Sequence, residues 1–530
     1  MKLKFIWKIF SSLVLIFFIT VATTVFAGDE DIVAVALDYD LSTVNSLEAK
    51  SGNDLILNHM HELLIFSDPV TGEDVPYLAQ NIKVMPNGKD INIYLRKGHV
   101  FHTGDPVTAH DVKWTYLQAA SPENAHLLAG MVDEIEDIEV IDNQNLVFHF
   151  YEKYAPWRSL MGIGICSKKY FEKVGRDTFR SHPIGSGPFR FVSREVGDNL
   201  IMEANEGYTY LDHIFNADRT KIIKPNALKK KVDFKILKLL IVPETVTRLA
   251  MLEAGEVDLI YDIFPQYIKR LESKNKIKVK KSSRAPSFFA MAISPVQYPI
   301  MKDVKFVMGI NHAINRQEII EKVYLGEGYP LYMYASKSEL GYDPTVTYEF
   351  NPGKARKLIK ESTYTPEELI LLTYSSSLPN AGNVAEIIQK YLNDVGVQVK
   401  LQKIEYGTFM TYVRNKDKRI GHMAMYSWHG TREPHSRILL TQPSDSIYST
   451  YPDRPSQDML DKLILAQSRE TDQTKRLTIL KKLHAILNKE PSSISLFGLN
   501  QIYAMSDRID FTWSSGPGYI SHLHHIQIVE

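Results

Sequence analysis

The sequence is short of cysteine and carries no excess of charge of either sign. Cys166 is the only cysteine among 530 residues, which excludes an intramolecular disulfide and any C-x-x-C metal or redox site. The 62 basic side chains of Lys and Arg equal the 62 acidic side chains of Asp and Glu. Bulk charge therefore gives no reason to expect a nucleic acid or an acidic membrane surface as partner, and we predict no nucleic-acid binding.

Motifs of several enzyme classes are also missing. His61-Glu62 lacks the second histidine, four residues after the first, that the zinc-protease helix requires. The chain has no G-x-x-x-x-G-K-S/T loop for nucleoside phosphates and no G-x-S-x-G nucleophile turn. We therefore predict that the protein is not an enzyme and needs no cofactor.

The N-terminus has the pattern of an export signal. Lys2, Lys4 and Lys8 precede an apolar run that begins at about residue 13 and ends in Val25-Phe26-Ala27. A basic start, an apolar middle and small residues at the cut predict a Sec signal peptide over residues 1–27. A retained membrane anchor is the alternative, because the apolar run approaches spanning length. No cysteine lies near the cut, so we expect a periplasmic protein without a lipid anchor.

Three passages resemble one known family. They are HPIGSGPFRF at residues 182–191 with GDNLIMEAN at 197–205, LRKGHVFHTGDPVTAHDV at 95–112, and RLAMLEAGEVD at 248–258. On its own, the first passage is a tight glycine–proline turn that leads into a hairpin. Together they resemble the extracellular solute-binding proteins of family 5, which serve peptide, nickel and related ABC importers.

The resemblance implies an α/β fold: a two-lobed periplasmic binding protein of type II, cluster C-like, with an extra subdomain in the first lobe. The expected division is lobe 1 at 28–285 with a subdomain at about 70–180, lobe 2 at 286–489, and a return to lobe 1 at 490–530. The apolar stripe at 384–395, followed by alternation at 397–401, independently favours an α/β lobe. The periodicity also predicts an amphipathic helix at 53–66, and the basic composition of 269–284 predicts a solvated crossing segment.

The resemblance places a ligand in the cleft between the lobes, against three segments: residues 39–45, the strand at 287–292, and the loop at 426–434. In this family, the tryptophan of the third segment lines the pocket, and Trp428 would supply an aromatic wall. A core position in lobe 2 is the alternative for Trp428. The candidate ligand-binding residues are Tyr39, Asp40, Asn45, Phe289, Tyr426, Trp428, His429, Thr431, Arg432 and Glu433.

The sequence departs from the peptide-binding pattern at both charged positions. Peptide-binding relatives often carry an aspartate directly after W-x-G for the ligand's α-ammonium group, and here Thr431 stands there. Dipeptide receptors place an arginine for the α-carboxylate where this chain has serine at 375–377. A zwitterion stripped of water would leave buried charges unpaired, unless Arg432 and Glu433 compensate from shifted positions.

We predict the periplasmic solute-binding component of an ABC importer, which delivers a peptide or peptide-like solute to a permease and ATPase complex in the inner membrane and acts as a monomer. A receptor for a sugar, an opine or a nickel or other metal chelate is the alternative within the same fold. An exported metal-binding or chaperone-like protein is the alternative of another class. Two histidine groups, at 59 and 61 and at 522, 524 and 525, have side chains that suit nickel, copper or zinc. The sequence favours surface or capping roles for them, so we predict no metal site.

Overall fold

The computed structural model describes residues 31–49, 52–67, 74–124, 126, 128–215, 222–282, 287–374, 380–405, 408–409, 421–429, 433–446, 448–512 and 522–529. The predicted signal peptide, residues 1–27, lies outside these ranges. Within them, no helix combines the length and the apolar character needed to cross a bilayer.

The first sheet is organised around Ile32–Leu37, whose side chains are buried at every position but the first. This strand lies parallel to Ile236–Ile241 on one side and to Leu259–Ile260 on the other. Strands buried on both faces have continuous apolar sequences, as IVAVAL does. Across the sheet the seven strands are Ile277–Ser282, Gln501–Ser506, Leu259–Ile260, Ile32–Leu37, Ile236–Ile241, Asn199–Ala204 and Phe189–Glu195.

Both faces of the first sheet are covered. Val33, Val35 and Leu37 join one apolar core, whereas Ala34 and Ala36 join another beneath the helix Thr245–Ala254. This division follows from the alternation of side chains along a strand. We call this sheet and its covering elements lobe 1.

A four-stranded antiparallel sheet and the helix Ala109–Ala120 form an apolar core of their own. The helix begins as its sequence predicts, with the Thr108 backbone N–H donating to Asp111 Oδ2 at 3.0 Å. On the basis of this separate core we treat the region as the subdomain expected at about 70–180. Its strands, in spatial order, are Ala79–Val84, Asp90–Leu95, Asn145–Phe150 and Ile135–Val140.

The second sheet, with the helices that cover it, forms what we call lobe 2. The helix and strand predicted at 384–401 are present as Ala381–Asp394 and Val399–Ile404. The strand SISLFGL at Ser493–Leu499 is buried at all but its last position. Across the sheet the six strands are Gly328–Pro330, Ser493–Leu499, Ser287–Ile293, Met423–His429, Leu369–Tyr374 and Val399–Ile404.

The chain passes between the two sheets twice. It leaves the first sheet after Ser282 and enters the second at Ser287. It returns between Leu499 and Gln501. Ser493–Leu499 still pairs with Ser287–Ile293 of the second sheet, whereas the next strand, Gln501–Ser506, pairs within the first sheet. Lobe 2 therefore extends to Leu499, past the boundary at 489 that the sequence suggested.

Two local predictions are corrected. The basic segment 269–284 is a short helix, Ile268–Glu272, and an edge strand, Ile277–Ser282, on which lysines suit an exposed edge. The helix expected at 53–66 is a 3₁₀ helix that ends at His59, and the chain re-emerges as a strand at Ile65–Ser67. The turn at residues 59–61 packs against the glycine–proline passage, since the Gly187 backbone N–H donates to the Met60 carbonyl at 2.8 Å.

The remaining described elements complete the two lobes. The α-helices are Ala109–Ala120, Ala129–Val132, Lys168–Ser181, Thr245–Ala254, Ile268–Glu272, Val304–Ala313, Arg316–Tyr324, Pro352–Lys360, Ala381–Asp394, His435–Thr441, Gln457–Arg469 and Gln473–Lys489. The 3₁₀ helices are Ser46–Glu48, Gly52–His59, Trp157–Gly162, Pro265–Tyr267, Pro299–Lys302 and Leu523–His525. Two-stranded sheets pair Ile65–Ser67 with Asp74–Pro76, Tyr210–Phe215 with Ile222–Lys230, and Ile509–Asp510 with Gln527–Ile528.

Candidate ligand-binding cleft

The C-terminal ends of the parallel strands Ile32–Leu37 and Leu259–Ile260 lie at the end of the first sheet where the chain crosses between the lobes. Ala36 lies beside Ile260, and Ile260 lies beside Ala504. The residues that follow the two parallel strands therefore reach the level at which Gln501–Ser506 begins, and the Ile263 N–H donates to the Ile502 carbonyl at 3.1 Å. Residues 38–45 leave the first sheet on the side where the chain arrives from lobe 2.

The corresponding edge of the second sheet carries the other two predicted segments. Ser287 begins the sheet directly after the first crossing, and it lies opposite His429 in the antiparallel register. Phe288 and Trp428 form the next backbone pair, and Phe289 lies opposite Ser427. The strands at 287–293 and 423–429 are thus neighbours, and their crossing ends meet the cleft. Thr431 and Arg432 lie outside the described residues, as do the serines at 375–377.

The predicted polar residues of lobe 1 stabilise their own loop. Asp40 Oδ1 accepts from Arg194 Nη2 at 3.1 Å, and its Oδ2 accepts from the Gly197 N–H at 2.7 Å. Asn45 is buried, and its Oδ1 accepts from the Leu47 N–H at 3.1 Å. Tyr39 packs edge-to-face on Tyr261, with ring centroids 6.4 Å apart. Asp40 therefore attaches the loop to the hairpin of the first sheet, and Asn45 caps the 3₁₀ helix Ser46–Glu48 that follows the loop.

The predicted residues of lobe 2 are also engaged within the protein. Phe289 is buried and stacks on Phe497 at 5.2 Å between ring centroids. Burial raises the pKa of Tyr426 well above its usual value, so its hydroxyl stays protonated. Glu433 accepts from both terminal nitrogens of Arg476, at 2.6 and 2.7 Å. The carboxylate that was expected to compensate for Thr431 is thus paired with an arginine of lobe 2.

A pair of carboxyl groups that was not predicted from the sequence lies at the cleft edge of lobe 1. Asp38 follows the strand Ile32–Leu37, and Asp262 lies just after the strand Leu259–Ile260. Parallel sheets commonly present ligand-binding groups at these C-terminal ends of their strands. Burial, together with the neighbouring charge of Asp38, raises the pKa of Asp262 to about 7, against an opposing effect of Arg248. Asp262 also holds a left-handed backbone conformation, with φ of 52°. Neither carboxyl forms an ion pair with any residue that the structure describes.

A second unpredicted feature is a direct contact between the subdomain and lobe 2. The Ala155 N–H donates to the Ser468 carbonyl at 2.7 Å, and Arg469 Nη1 donates to Glu134 Oε2 at 2.7 Å. The ring of Tyr154 packs edge-to-face on His435, with centroids 5.7 Å apart. We call these three interactions the interlobe contact. They join the subdomain of lobe 1 directly to lobe 2.

His435 meets this contact as a neutral ring. Burial, reinforced by Arg476 and Arg469, lowers the pKa of His435 to about 3. Its Nδ1 accepts from Gln467 Nε2 at 2.6 Å. The interlobe contact therefore adds no buried positive charge where Tyr154 packs.

Comparison with known proteins identifies the family. The model of the bacterial extracellular solute-binding proteins, family 5 Middle, matches residues 73–448. The chain belongs to this family. The dipeptide-binding protein of Escherichia coli (strain K12) is 22% identical over 463 residues, which span 80% of this chain and 81% of that protein.

Solved structures of similar proteins share the fold. The periplasmic binding protein DppA from Helicobacter pylori, in complex with the peptide STSA, has a TM-score of 0.77 at 20% identity and covers 94% of this chain and 98% of its own. NikZ from Campylobacter jejuni, in complex with Ni(L-His), has a TM-score of 0.80 at 16% identity and covers 94% of this chain and 100% of its own. The predicted family and the predicted type II α/β fold are therefore confirmed. The chain is a family 5 solute-binding protein, a class that serves ABC importers, and these relatives are binding proteins, not enzymes.

Proposed function

We propose that this protein is the periplasmic receptor for a peptide or peptide-like solute. Residues 1–27 direct its export and are then removed. The mature protein acts as a monomer and delivers its ligand to a permease and ATPase complex in the inner membrane. The interlobe contact is the observation that supports the proposal, because it gives the two lobes a direct contact that a closed, ligand-bound receptor needs. The peptide ligands of the E. coli and H. pylori relatives favour a solute of this chemical class.

Closure explains how binding is signalled. A ligand that touches both lobes gains interactions in the closed state that the open state lacks, so it shifts the population toward closure. A micromolar complex corresponds to about 8 kcal/mol, and a differential affinity of about 5.5 kcal/mol is enough to move such an equilibrium from 1:99 to 99:1. The closed lobes then present one continuous surface to the permease.

The carboxyl pair of Asp38 and Asp262 is the group that we assign to the cationic end of the ligand. Glu433 is paired with Arg476, and Asp40 is held by Arg194 and a backbone N–H. Burial raises the pKa of Asp262, and the neighbouring charge of Asp38 adds to the rise, so the two carboxyls repel each other once both are ionised. A ligand ammonium group between them relieves this repulsion, and the pair then takes the role that the aspartate after W-x-G has in peptide-binding relatives.

A receptor for a metal chelate or another solute without a free ammonium group is the second candidate. The observation in its favour is the pairing of Glu433, together with Thr431 in place of the usual aspartate. NikZ, which is similar in fold, was solved with Ni(L-His). The same cleft would then be lined mainly by its aromatic side chains.

Native mass spectrometry of residues 28–530, purified from periplasm without refolding, tests the proposal. We expect adducts spaced by amino-acid residue masses, and these would disappear under denaturing conditions. A single discrete adduct containing no amino acid would overturn the peptide assignment in favour of the second candidate. Recovery of the chain from membranes, with its first 27 residues still present, would overturn the periplasmic assignment.

The role of the carboxyl pair is tested separately, by calorimetric titration with the peptide that mass spectrometry identifies. We expect Asp262→Asn to weaken the binding of a peptide with a free N-terminal amine tenfold or more. The N-acetylated form of that peptide should bind both proteins with equal affinity. Equal affinity of the free amine for both proteins would contradict the assignment of this pair.

A further inference from the structure

Three histidines near the C-terminus lie together. His522, His524 and His525 each offer a ring nitrogen, and these nitrogens all lie within 4.8 Å of one another. The rings contact each other directly, with the closest pair, His524 and His525, at 4.4 Å between centroids. We call this group the histidine triad. It includes both buried and partly exposed side chains, so solvent reaches one side of it.

The backbone holds the triad in place through the residues between and after the histidines. Leu523 and Ile526 are buried in the core of lobe 1. The Leu523 N–H donates to His59 Nε2 at 2.9 Å, and His59 Nδ1 donates to the Ile56 carbonyl at 2.7 Å. The tract HLHHI is therefore anchored at two apolar positions, which forces its histidines to share the remaining space. The sequence alone favours surface roles because it does not reveal this anchoring.

His524 carries the argument furthest. Its side chain is buried, and its Nε2 lies 3.0 Å from the hydroxyl of Tyr77. Its Nδ1 is also buried, and it has no hydrogen-bond partner among the residues that the structure describes. A buried polar atom without a partner costs free energy, so such an atom calls for an explanation. If Nε2 donates its proton to Tyr77, the lone pair of Nδ1 is left facing the triad.

This arrangement is typical of a metal ligand. A histidine that binds a metal usually donates its other ring N–H to an oxygen, which fixes the tautomer. A ring in this tautomer is the neutral imidazole that binds metal ions.

We propose that His522, His524 and His525 bind one divalent transition-metal ion of the class that prefers imidazole, such as Zn²⁺, Ni²⁺ or Cu²⁺. Nitrogens that share a tetrahedral Zn²⁺ at about 2.0–2.1 Å lie about 3.4 Å apart, so small ring rotations bring the triad to that geometry. The fourth position is left for water or a small ligand. The site lies against Tyr77 and Tyr210. The residues that follow it pair with Ile509–Asp510, and the Ile528 N–H donates to Asp233, just before Ile236–Ile241 begins, at the end of the first sheet opposite the crossings. Its role is to fix the C-terminal tract to lobe 1.

The test uses residues 28–530 without a polyhistidine tag, stripped with chelator and dialysed. Titration with Zn²⁺, Ni²⁺ and Cu²⁺ by calorimetry gives stoichiometry and affinity, and Co²⁺ reports tetrahedral coordination through its visible absorption bands. We expect one equivalent of tight binding. The variants His522→Gln and His525→Gln should each weaken binding tenfold or more, and the double variant should lose the Co²⁺ bands.

His110→Gln is the matched control, because His110 is an exposed histidine on a helix of the subdomain, and it should leave binding unchanged. Both triad variants replace partly exposed side chains, so circular dichroism should show that they remain folded. Unchanged affinity in the folded double variant would place any bound metal elsewhere, the ligand cleft included, and would overturn the proposal. Failure of all these ions to bind the wild-type chain would overturn it equally, without affecting the assignment as a solute receptor.

Discussion

Glu339 in lobe 2 and Asp262 in lobe 1 are both carboxyl groups whose pKa is raised, chiefly by burial, yet their surroundings differ. Glu339 accepts from Arg437 Nη2 at 2.7 Å and from the Ser336 N–H at 2.9 Å. Asp262 has the like charge of Asp38 as its neighbour. Lobe 2 thus pairs its buried acid with an arginine at hydrogen-bond distance, whereas in lobe 1 Arg248 only opposes the rise in the pKa of Asp262 and forms no ion pair with it among the described residues. On the function proposed above, the first carboxyl supports the fold and the second is available to a ligand.

Removing the Glu339 carboxylate, which pairs with Arg437 in lobe 2, should have the largest effect on stability. Glu339→Gln leaves the Arg437 guanidinium, only 2% exposed, without its carboxylate. We expect the free energy of unfolding to fall by about 3–5 kcal/mol, because a buried charge is left unpaired. Urea denaturation followed by circular dichroism measures this loss. The double variant Glu339→Leu, Arg437→Met removes both charges and should recover most of it, and a loss in the double variant equal to that of Glu339→Gln would contradict the explanation.

Removing the acid in lobe 1 should act in the opposite direction and depend on pH. The pKa of Asp262 is about 7 in the folded protein, above its usual 3.8, so the folded state retains a proton that the unfolded state releases. Stability therefore falls as pH rises from about 4 to about 7. Asp262→Asn removes this loss and should stabilise the protein at pH 8 by on the order of 2 kcal/mol, with little effect at pH 4.

The free energy of unfolding of this variant, measured across that pH range, is compared with that of Asp177→Asn. Asp177 is an exposed aspartate on a subdomain helix, so its replacement should leave the pH profile of the wild type unchanged. An Asp262→Asn profile parallel to that of the wild type would show that the pKa of Asp262 is not raised in the folded protein.

Glu433 sharpens the comparison, because it was expected from the sequence to contact ligand and is instead bonded to Arg476. Glu433→Gln should lower the free energy of unfolding by about 1–2 kcal/mol, since Arg476 keeps its contacts with Gln467 but loses its ionic partner. Ligand affinity, measured by calorimetry, should change less than threefold. Glu367→Gln, an exposed glutamate of the same lobe, is the control. A loss of affinity with unchanged stability would return Glu433 to the binding site.

The smallest effect is expected at the interlobe contact. Glu134 and Arg469 are each 26% exposed, so their ion pair is worth about 0.2–1 kcal/mol. A double-mutant cycle of Glu134→Gln and Arg469→Gln, measured by ligand affinity, should give a coupling of that size. The coupling should shrink as salt is raised, because the pair is partly open to solvent. A coupling that persists at high salt would indicate a buried interaction instead.

The fold could be predicted from the sequence where neighbouring residues allow only one local packing arrangement. A Cβ atom at Gly185 would lie 1.9 Å from the Met60 carbonyl oxygen, and one at Gly187 would lie 2.6 Å from the His59 carbonyl oxygen. Only glycine allows this approach, so the HPIGSGP passage specifies where the turn at residues 59–61 must pack. Local motifs of this kind carried the family resemblance and, with it, the two-lobed architecture.

The site was less accessible, because its groups meet only through the order of strands in a sheet. Asp38 and Asp262 become neighbours because the strands that precede them pair. The residues adjacent to each aspartate in sequence do not indicate this proximity. Glu433, which precedes the helix His435–Thr441, meets Arg476 of the helix Gln473–Lys489 only through tertiary packing. The strand SISLFGL, mostly apolar with serines at 493 and 495, would suit either sheet, which is why the lobe boundary was placed before it instead of after Leu499.

The position of Gln501–Ser506 has a consequence for how the protein is made. This strand lies inside the first sheet, between Ile277–Ser282 and Leu259–Ile260, although it comes almost at the end of the chain. The six strands of the second sheet precede this strand in the chain, but the first sheet has a gap between Ile277–Ser282 and Leu259–Ile260 until residues 501–506 have been synthesised. An exported chain must stay unfolded while it is threaded across a membrane. On the export route proposed above, lobe 1 is therefore completed only after residues 501–506 have crossed the membrane.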